Sequence, residues 1–341
     1  MPKTHEYYII AGDIGGTKTN LGIFVKGAKR PLLKILETYP SAQYRNIESI
    51  LARFFKEHPA PVKYACLGIA GPVHHGRCRV TNLPWEVRAS NLKTRFKFKG
   101  VTLINDLTAT AFAITYLKKD ELYELKKGVA QRDGSLALIA PGTGLGESII
   151  VFEKGKYIPL PSEGGHVDFA PNNEKEVGLW RYLKKKYRHV SLERILTGQG
   201  LSDIHSFLLS STPVREHGKF LKMMTNEADP AMIISREALT GNVKSCKTAL
   251  DMFVSILGGA TGNLALTGMA TGGVYLGGGI PPKILPKLKD GSFLKSFTDK
   301  GRFKGLLEKM PIYVILNDKA ALLGAAVRAF ERINESEHSD N

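Results

Sequence analysis

The chain has 341 residues, 43% hydrophobic and 23% charged, which suits two globular domains better than one and excludes a disordered chain. Its three cysteines, Cys66, Cys78 and Cys246, are too few for a disulfide framework, and no Cys/His cluster offers four zinc ligands; they read as buried thiols. The net charge of +16 raises nucleic acid, membranes and anionic small molecules as partners.

The first eight residues lack the apolar core of a signal peptide, so a cytoplasmic protein is expected. Residues 7–11 form an apolar run, followed by Gly12-Asp13-Ile14-Gly15-Gly16-Thr17 and the apolar stretch 21–25. This predicts strand, tight glycine turn, strand. A third strand is expected at 32–39. A helix is expected at 46–57, where Ile47, Ile50, Leu51, Phe54 and Phe55 keep helical spacing. Strands follow at 63–70 and 101–105, then a helix at 107–117. The pattern restarts with a strand at 136–140, the turn Pro141-Gly142-Thr143-Gly144-Leu145-Gly146 and a strand at 148–152. Even the exits match, Phe24-Val25-Lys26-Gly27 against Phe152-Glu153-Lys154-Gly155. The repetition implies an internal duplication and two α/β domains facing each other across a ligand cleft. Apolar runs such as 136–141 and 148–152 are too short to cross a bilayer, and no membrane partner is expected.

Residues 175–270 read as mainly helical, with helices at 176–187, 191–209, 230–239 and 242–266. The run Lys184-Lys185-Lys186-Tyr187-Arg188 reads as the end of a surface helix. No nucleic-acid motif accompanies it, and no nucleic-acid partner is expected. A strand at 274–276 runs into Gly277-Gly278-Gly279, another is expected at 312–316, and a helix at 319–332. The polar residues 334–341 are expected to fray.

The first glycine turn fails the Walker spacing, because Lys18 follows Thr17 instead of glycine. Glycines on a hairpin can still bring backbone N–H groups to a phosphate, with Asp13 available for a magnesium ion through water. A plain hairpin turn remains the other reading. The second turn has glycines at 142, 144 and 146, which is not the dinucleotide-binding spacing. Two such hairpins together suit a polyphosphate. At Leu103-Ile104-Asn105-Asp106-Leu107 a strand gives way to a helix, where ligands of α/β sheets collect. Asp106 is either a helix N-cap or a group that accepts a proton from an attacking hydroxyl. The loop Ser162-Glu163-Gly164-Gly165-His166 can aim Glu163 and His166 at one small ligand. Glu193 is placed at the start of a helix, where its charge is also favourable for the helix itself. Carboxylates with one histidine and one asparagine suit a polyol.

Together these segments resemble the bacterial glucokinases, within the actin-like sugar-kinase superfamily that includes hexokinases and the repressor/kinase (ROK) group. The resemblance runs from about residue 9 to 330. It rests on the motifs above with Gly68-Ile69-Ala70-Gly71-Pro72-Val73, Thr81-Asn82-Leu83-Pro84-Trp85, Glu193-Arg194-Ile195-Leu196 and Leu276-Gly277-Gly278-Gly279-Ile280. It implies two actin-like (ribonuclease H-like) domains: residues 1–116 with 318–332 as the smaller, 117–317 as the larger, and 333–341 as a flexible tail. It also implies phosphorylation of glucose at the 6-hydroxyl by ATP and Mg²⁺, the first step of glycolysis, in a homodimer. Asp106 would be the catalytic base. Asn82, Asn105, Asp106, Glu163, His166 and Glu193 would bind glucose. Gly12, Asp13, Ile14, Gly15, Gly16, Thr17 and Lys18 would line the phosphate and magnesium site, with Asp13 reaching the metal through water. Gly142, Thr143 and Gly144 would close over the phosphates, and Gly277, Gly278 and Gly279 would pass under the adenosine.

There are departures from the pattern. Lys18-Thr19-Asn20 stands where many relatives carry an arginine, and the zinc cluster of the ROK group is absent near 166–190. No helix-turn-helix precedes residue 9, which disfavours a repressor. Another hexose, a polyphosphate donor or a non-catalytic sugar sensor are the competing readings.

Overall fold

The computed structural model describes residues 7–211 and 229–339. In chain order the strands are β1 (Tyr8–Ile14), β2 (Lys18–Val25), β3 (Leu32–Pro40), β4 (Val62–Ile69), β5 (Val73–His74), β6 (Arg77–Arg79), β7 (Glu86–Arg88), β8 (Gly100–Asn105), β9 (Leu122–Lys126), β10 (Leu136–Pro141), β11 (Leu145–Glu153), β12 (Lys156–Pro159), β13 (Gly273–Leu276) and β14 (Ile312–Ile315). The longer helices are α1 (Ile47–Glu57), α2 (Ala89–Phe96), α3 (Asp106–Ala113), α4 (Glu174–Lys186), α5 (Gly198–Ser211), α6 (Pro230–Thr240), α7 (Lys244–Thr267) and α8 (Ala320–Ser339). Two compact units emerge, one from Met1–Lys118, Tyr157–Pro159 and Asn317–Asn341, the other from Lys119–Lys156 and Leu160–Leu316.

The first unit is built on a five-stranded sheet in the order β3-β2-β1-β4-β8. Strands β1, β4 and β8 are parallel, and β2 returns antiparallel beside β1. β1 is almost wholly buried, so its alternate residues feed two cores. Ile10 and Ile14 join Phe54 of α1 and Trp85 on one face, while Ile9 and Ala11 join Ala109 of α3 and Leu322, Ala325 and Ala326 of α8 on the other. The predicted α1 forms because Ile47, Ile50, Leu51 and Phe54 share one buried face. Asn46 caps it, its Oδ1 accepting from Ser49 N at 3.0 Å. A small β5-β6-β7 sheet and α2, which have no clear signal in the sequence, occupy the chain between β4 and β8. Where fraying was expected, α8 continues through Ser339. Arg328 pairs with Glu331 at 3.1 Å and Glu335 at 2.8 Å, and Arg332 with Glu335 at 3.0 Å, which supports the added turns.

The second unit is built on strands in the order β11-β10-β13-β14-β9. Its parallel strands are β10, β13 and β14, with β11 antiparallel beside β10. The run β11-β10-β13-β14 repeats the pattern of β2-β1-β4-β8, so the expected duplication extends to strand order. Helix α7, of 24 residues, is the one described helix long and apolar enough to cross a membrane, and 78% of that stretch is buried. It belongs to the core of this unit, where Phe253, Val254 and Leu257 are fully covered. The helix expected at 191–209 begins only at Gly198. All three cysteines are buried thiols outside any disulfide, and the basic run closes α4.

Candidate active site

In the first unit, the turn between β1 and β2 and the junction of β8 with α3 bring Asp13 and Asp106 to the same end of the sheet. Asp13 pairs in register with Gly68 of β4, and Gly68 with Ile104 of β8. A side chain at Gly68 would meet Ala109 Cβ at 2.9 Å and Asp106 Cα at 3.7 Å, so its absence lets α3 start against the sheet. Asp13 is held by Asn20, whose Nδ2 donates to Asp13 Oδ2 at 3.0 Å. Asn20 Oδ1 in turn accepts from Thr38 Oγ1 at 2.8 Å and from Lys319 Nζ at 3.4 Å. Sequence reasoning missed both Asn20 and Lys319. Asn20 is fully buried.

Burial pushes the Asp13 carboxyl above the usual range, against the lowering effects of Asn20, Lys18 and Lys319. Burial also raises Asp106, and the charge of Asp13 raises it further. The N-cap reading of Asp106 is corrected. Asn105 is the cap, its Oδ1 accepting from Leu107 N at 2.9 Å and Thr108 N at 3.3 Å, and Asp106 is the first helical residue. Its Oδ1 accepts from Leu107 N at 2.9 Å. Asn105 Nδ2 also donates to the carbonyl of Gly71 at 3.2 Å, which leaves one amide hydrogen for another acceptor. Asn82 sits in a left-handed turn at φ 63°, a conformation asparagine tolerates. A side chain at Gly16 would meet Thr81 O at 3.3 Å and Asn82 Cβ at 3.4 Å, so this turn backs onto Gly15-Gly16. Thr17 and Lys18 are exposed.

In the second unit, the turn 142–144 closes through Gly142 N donating to Gly144 O at 2.9 Å. The triple glycine packs against it. Gly277 N donates to Ile139 O at 2.8 Å and Ile280 N to Pro141 O at 3.3 Å, while Gly278, at φ 79°, would place any side chain 2.4 Å from Pro141 O. Gly198 N donates to Gly142 O at 3.1 Å, so α5 also starts at this turn. Gly200 N donates to Thr197 Oγ1 at 3.0 Å, which caps the first turn of α5.

Backbone bonds zip the loop 164–169 to residues 190–193: Glu193 N to Gly165 O at 2.8 Å, Leu192 N to Val167 O at 3.0 Å and Phe169 N to Val190 O at 3.0 Å. This brings Glu163, His166 and Glu193 to one place. Glu193 is not at a helix start; it lies in a turn, five residues before α5. Its Oε2 accepts from Leu145 N at 3.0 Å, and its Oε1 is 3.9 Å from His166 Nε2. It therefore links the glycine turn to the histidine loop. His189, absent from the sequence-based candidates, donates from Nε2 to the carbonyl of His166 at 3.0 Å. Glu163 and His166 are exposed.

A sequence model of the glucokinase family matches residues 10–332. The glucokinase of Synechocystis sp. is 37% identical and aligns over 94% of this chain and 97% of its own length. The crystal structure of a glucokinase from an Antarctic psychrotroph superposes with a TM-score of 0.83 at 30% identity, covering 95% of this chain and 99% of the other. A ROK family glucokinase from Streptomyces griseus, solved with glucose and AMPPNP, shares the fold with a TM-score of 0.64 at 21% identity, over 95% and 99% of the two chains. The fold is thus the actin-like α/β fold of these sugar kinases, and the chain belongs to the glucokinase family.

Proposed function

We propose that the chain transfers the γ-phosphoryl group of MgATP to the 6-hydroxyl of D-glucose, supplying the first step of glycolysis from the cytoplasm. The observation that carries this reading is the pair Asp13 and Asp106 at one end of the parallel strands β1, β4 and β8, each with a carboxyl raised by burial. Asp106 acts as the general base: a raised basicity suits acceptance of a proton from an alcohol. Asn82, Asn105, Glu163, His166 and Glu193 bind the sugar hydroxyls. The turns Gly12–Lys18 and Gly142–Gly144 hold the phosphates, and Gly277–Gly279 accommodate the adenosine.

The residues fit magnesium. Asp13 supplies hard oxygen donors, and its repulsion of Asp106 is what a bound cation relieves. When bound, the ion neutralises phosphate charge; the protein contributes position, a dry setting and the base. A homodimer is the expected assembly.

The test is ADP release from MgATP with a panel of hexoses, run beside Asp106→Asn. Glucose-selective turnover that collapses in the variant supports the reading. Activity on another hexose replaces the substrate, and activity only with polyphosphate replaces the donor. No turnover with any pair favours a sugar sensor.

A further inference from the structure

The second unit holds a cavity of about 300 Å³ that the proposed reaction does not use. It lies between β11, the segment 162–172 and one face of α7, where Ile256, Ala260, Asn263, Leu264 and Thr267 recur at helical spacing. The walls are mostly apolar. Glu147 of β11 lines it, although this side chain is only 7% exposed. Its Oε1 is buried with no hydrogen-bond partner among the described residues. The carboxylate fills the space that a side chain at Gly164 would need.

A buried carboxylate without a partner is costly, and it identifies the kind of ligand that would relieve it. Among the described residues, the titratable ones lining the cavity are both acidic, Glu147 and Asp168, with no lysine, arginine or histidine. In a chain of net charge +16 such a lining selects a cation. The apolar walls select one with a methylene body. We propose that this cavity binds a small aliphatic ammonium ion, a mono- or diamine of a few carbons, with Glu147 pairing with its charged head. Ser162, Asn172, Asn263 and Thr267 line the cavity as further polar partners. Because Ser162 and Gly164 also belong to the loop of Glu163 and His166, the occupant lies against the back of that loop.

Proton linkage sharpens the expectation. Burial pushes the Glu147 carboxyl up to about 7, while an aliphatic amine stays protonated well above that. The other charged groups on the elements packed around it are Glu163, His166 and Asp168 on the loop, with Asp168 3.4 Å from His189 Nδ1, Glu193 beside Leu192, Glu153 at the far end of β11, and Lys244, Lys247 and Asp251 in the first turns of α7, with Lys247 3.5 Å from Asp251. None of these offers a cation to Glu147 Oε1. Binding therefore strengthens as pH rises and Glu147 ionises.

The experiment is isothermal titration of the full chain with 1,4-diaminobutane and, separately, 1,4-butanediol, at about pH 6 and about pH 8. Saturable diamine binding is expected, about tenfold tighter at the higher pH, with little diol binding. Glu147→Gln is expected to weaken diamine binding about tenfold and flatten its pH dependence. Ala260→Leu fills the cavity, keeps the carboxylate, and is expected to abolish binding; it decides the matter if the Gln variant does not fold. Equal affinity for the diol, unchanged affinity in both variants, or no diamine binding at either pH would overturn the proposal. The readout is heat of binding without turnover, so it is independent of the kinase reading.

Discussion

At the scale of single residues, Asp106 combines a structural and a chemical position. As the first residue of α3 it is favourable to the helix through its charge, yet Asn105 carries the capping bonds. Asp106 can therefore be changed without removing the cap. Asp106→Asn is expected to lower kcat by about 10²–10⁴-fold while leaving glucose affinity within a few fold; near-normal turnover would dismiss it as the base. Because burial and Asp13 raise its carboxyl, the acid limb of kcat/KM is expected above the pKa of a free aspartate. Glu147 shows the opposite consequence of burial. An acid whose folded pKa lies near 7 binds more protons folded than unfolded between about pH 4.5 and 7. Folding stability is therefore lost as pH rises through that window. The full effect is about 3 kcal/mol, from a rise of about 2.5 units at 1.36 kcal/mol each. Glu147→Gln is expected to match the parent in thermal stability near pH 4 and to exceed it near pH 8. A variant equal to the parent at both pH values would mean that the carboxyl is solvated in the native state.

At the scale of elements, the closest helix contact in the first unit is that of α8 with α3. A side chain at Gly324 would come within 1.6 Å of Ala109 O and 2.7 Å of Ala109 C. The obstacle is backbone and cannot rotate away, so the helices must separate. Gly324→Ala is expected to destabilise the protein by about 2–4 kcal/mol despite the better helix propensity of alanine. Chemical denaturation measures this, and an unchanged midpoint would show that α8 can shift freely. Such contacts are invisible in sequence, where Gly324 sits in an alanine-rich helix with no sign of its partner. Elements with strong periodicity were legible, including the β1–β2 and β10–β11 hairpins, α1 and α7. The short strands β5–β7 were not, because two or three residues carry no period. The misplaced start of α5 has a different cause. Leu192, Ile195 and Leu196 are buried and keep helical spacing, but they do so in successive turns, with Arg194 N bonded to Ser191 O at 3.1 Å and Ile195 N to Leu192 O at 3.0 Å. The candidate site residues were legible as strand ends and glycine turns. The supporting residues Asn20, His189 and Lys319 were not, since their roles depend on chain crossings between distant segments.

At the scale of the whole molecule, charge is the property that the proposed reaction does not require. The chain has 48 Lys and Arg against 32 Asp and Glu, so even complete pairing leaves 16 cations over. Several visible pairs are exposed, such as Arg53–Glu57 at 2.8 Å and Lys304–Glu308 at 3.8 Å, and each contributes only about 0.2–1 kcal/mol. Salt acts on both classes of interaction with opposite sign. It weakens the exposed pairs, which lowers stability, and it screens repulsion among the unpaired cations, which raises it. The excess of cations makes the second effect larger. Raising sodium chloride from about 0.05 to about 0.5 M, which shortens the screening length several-fold, is expected to raise Tm by about 2–4 °C. A Tm that falls with salt would show that the acids are placed to neutralise their basic neighbours so well that repulsion is already relieved. The same titration bears on partners. Affinity for nucleic acid that rests on net charge alone decays steeply with salt, so binding that survives at the upper salt concentration would require a shaped basic surface instead of a general excess of charge.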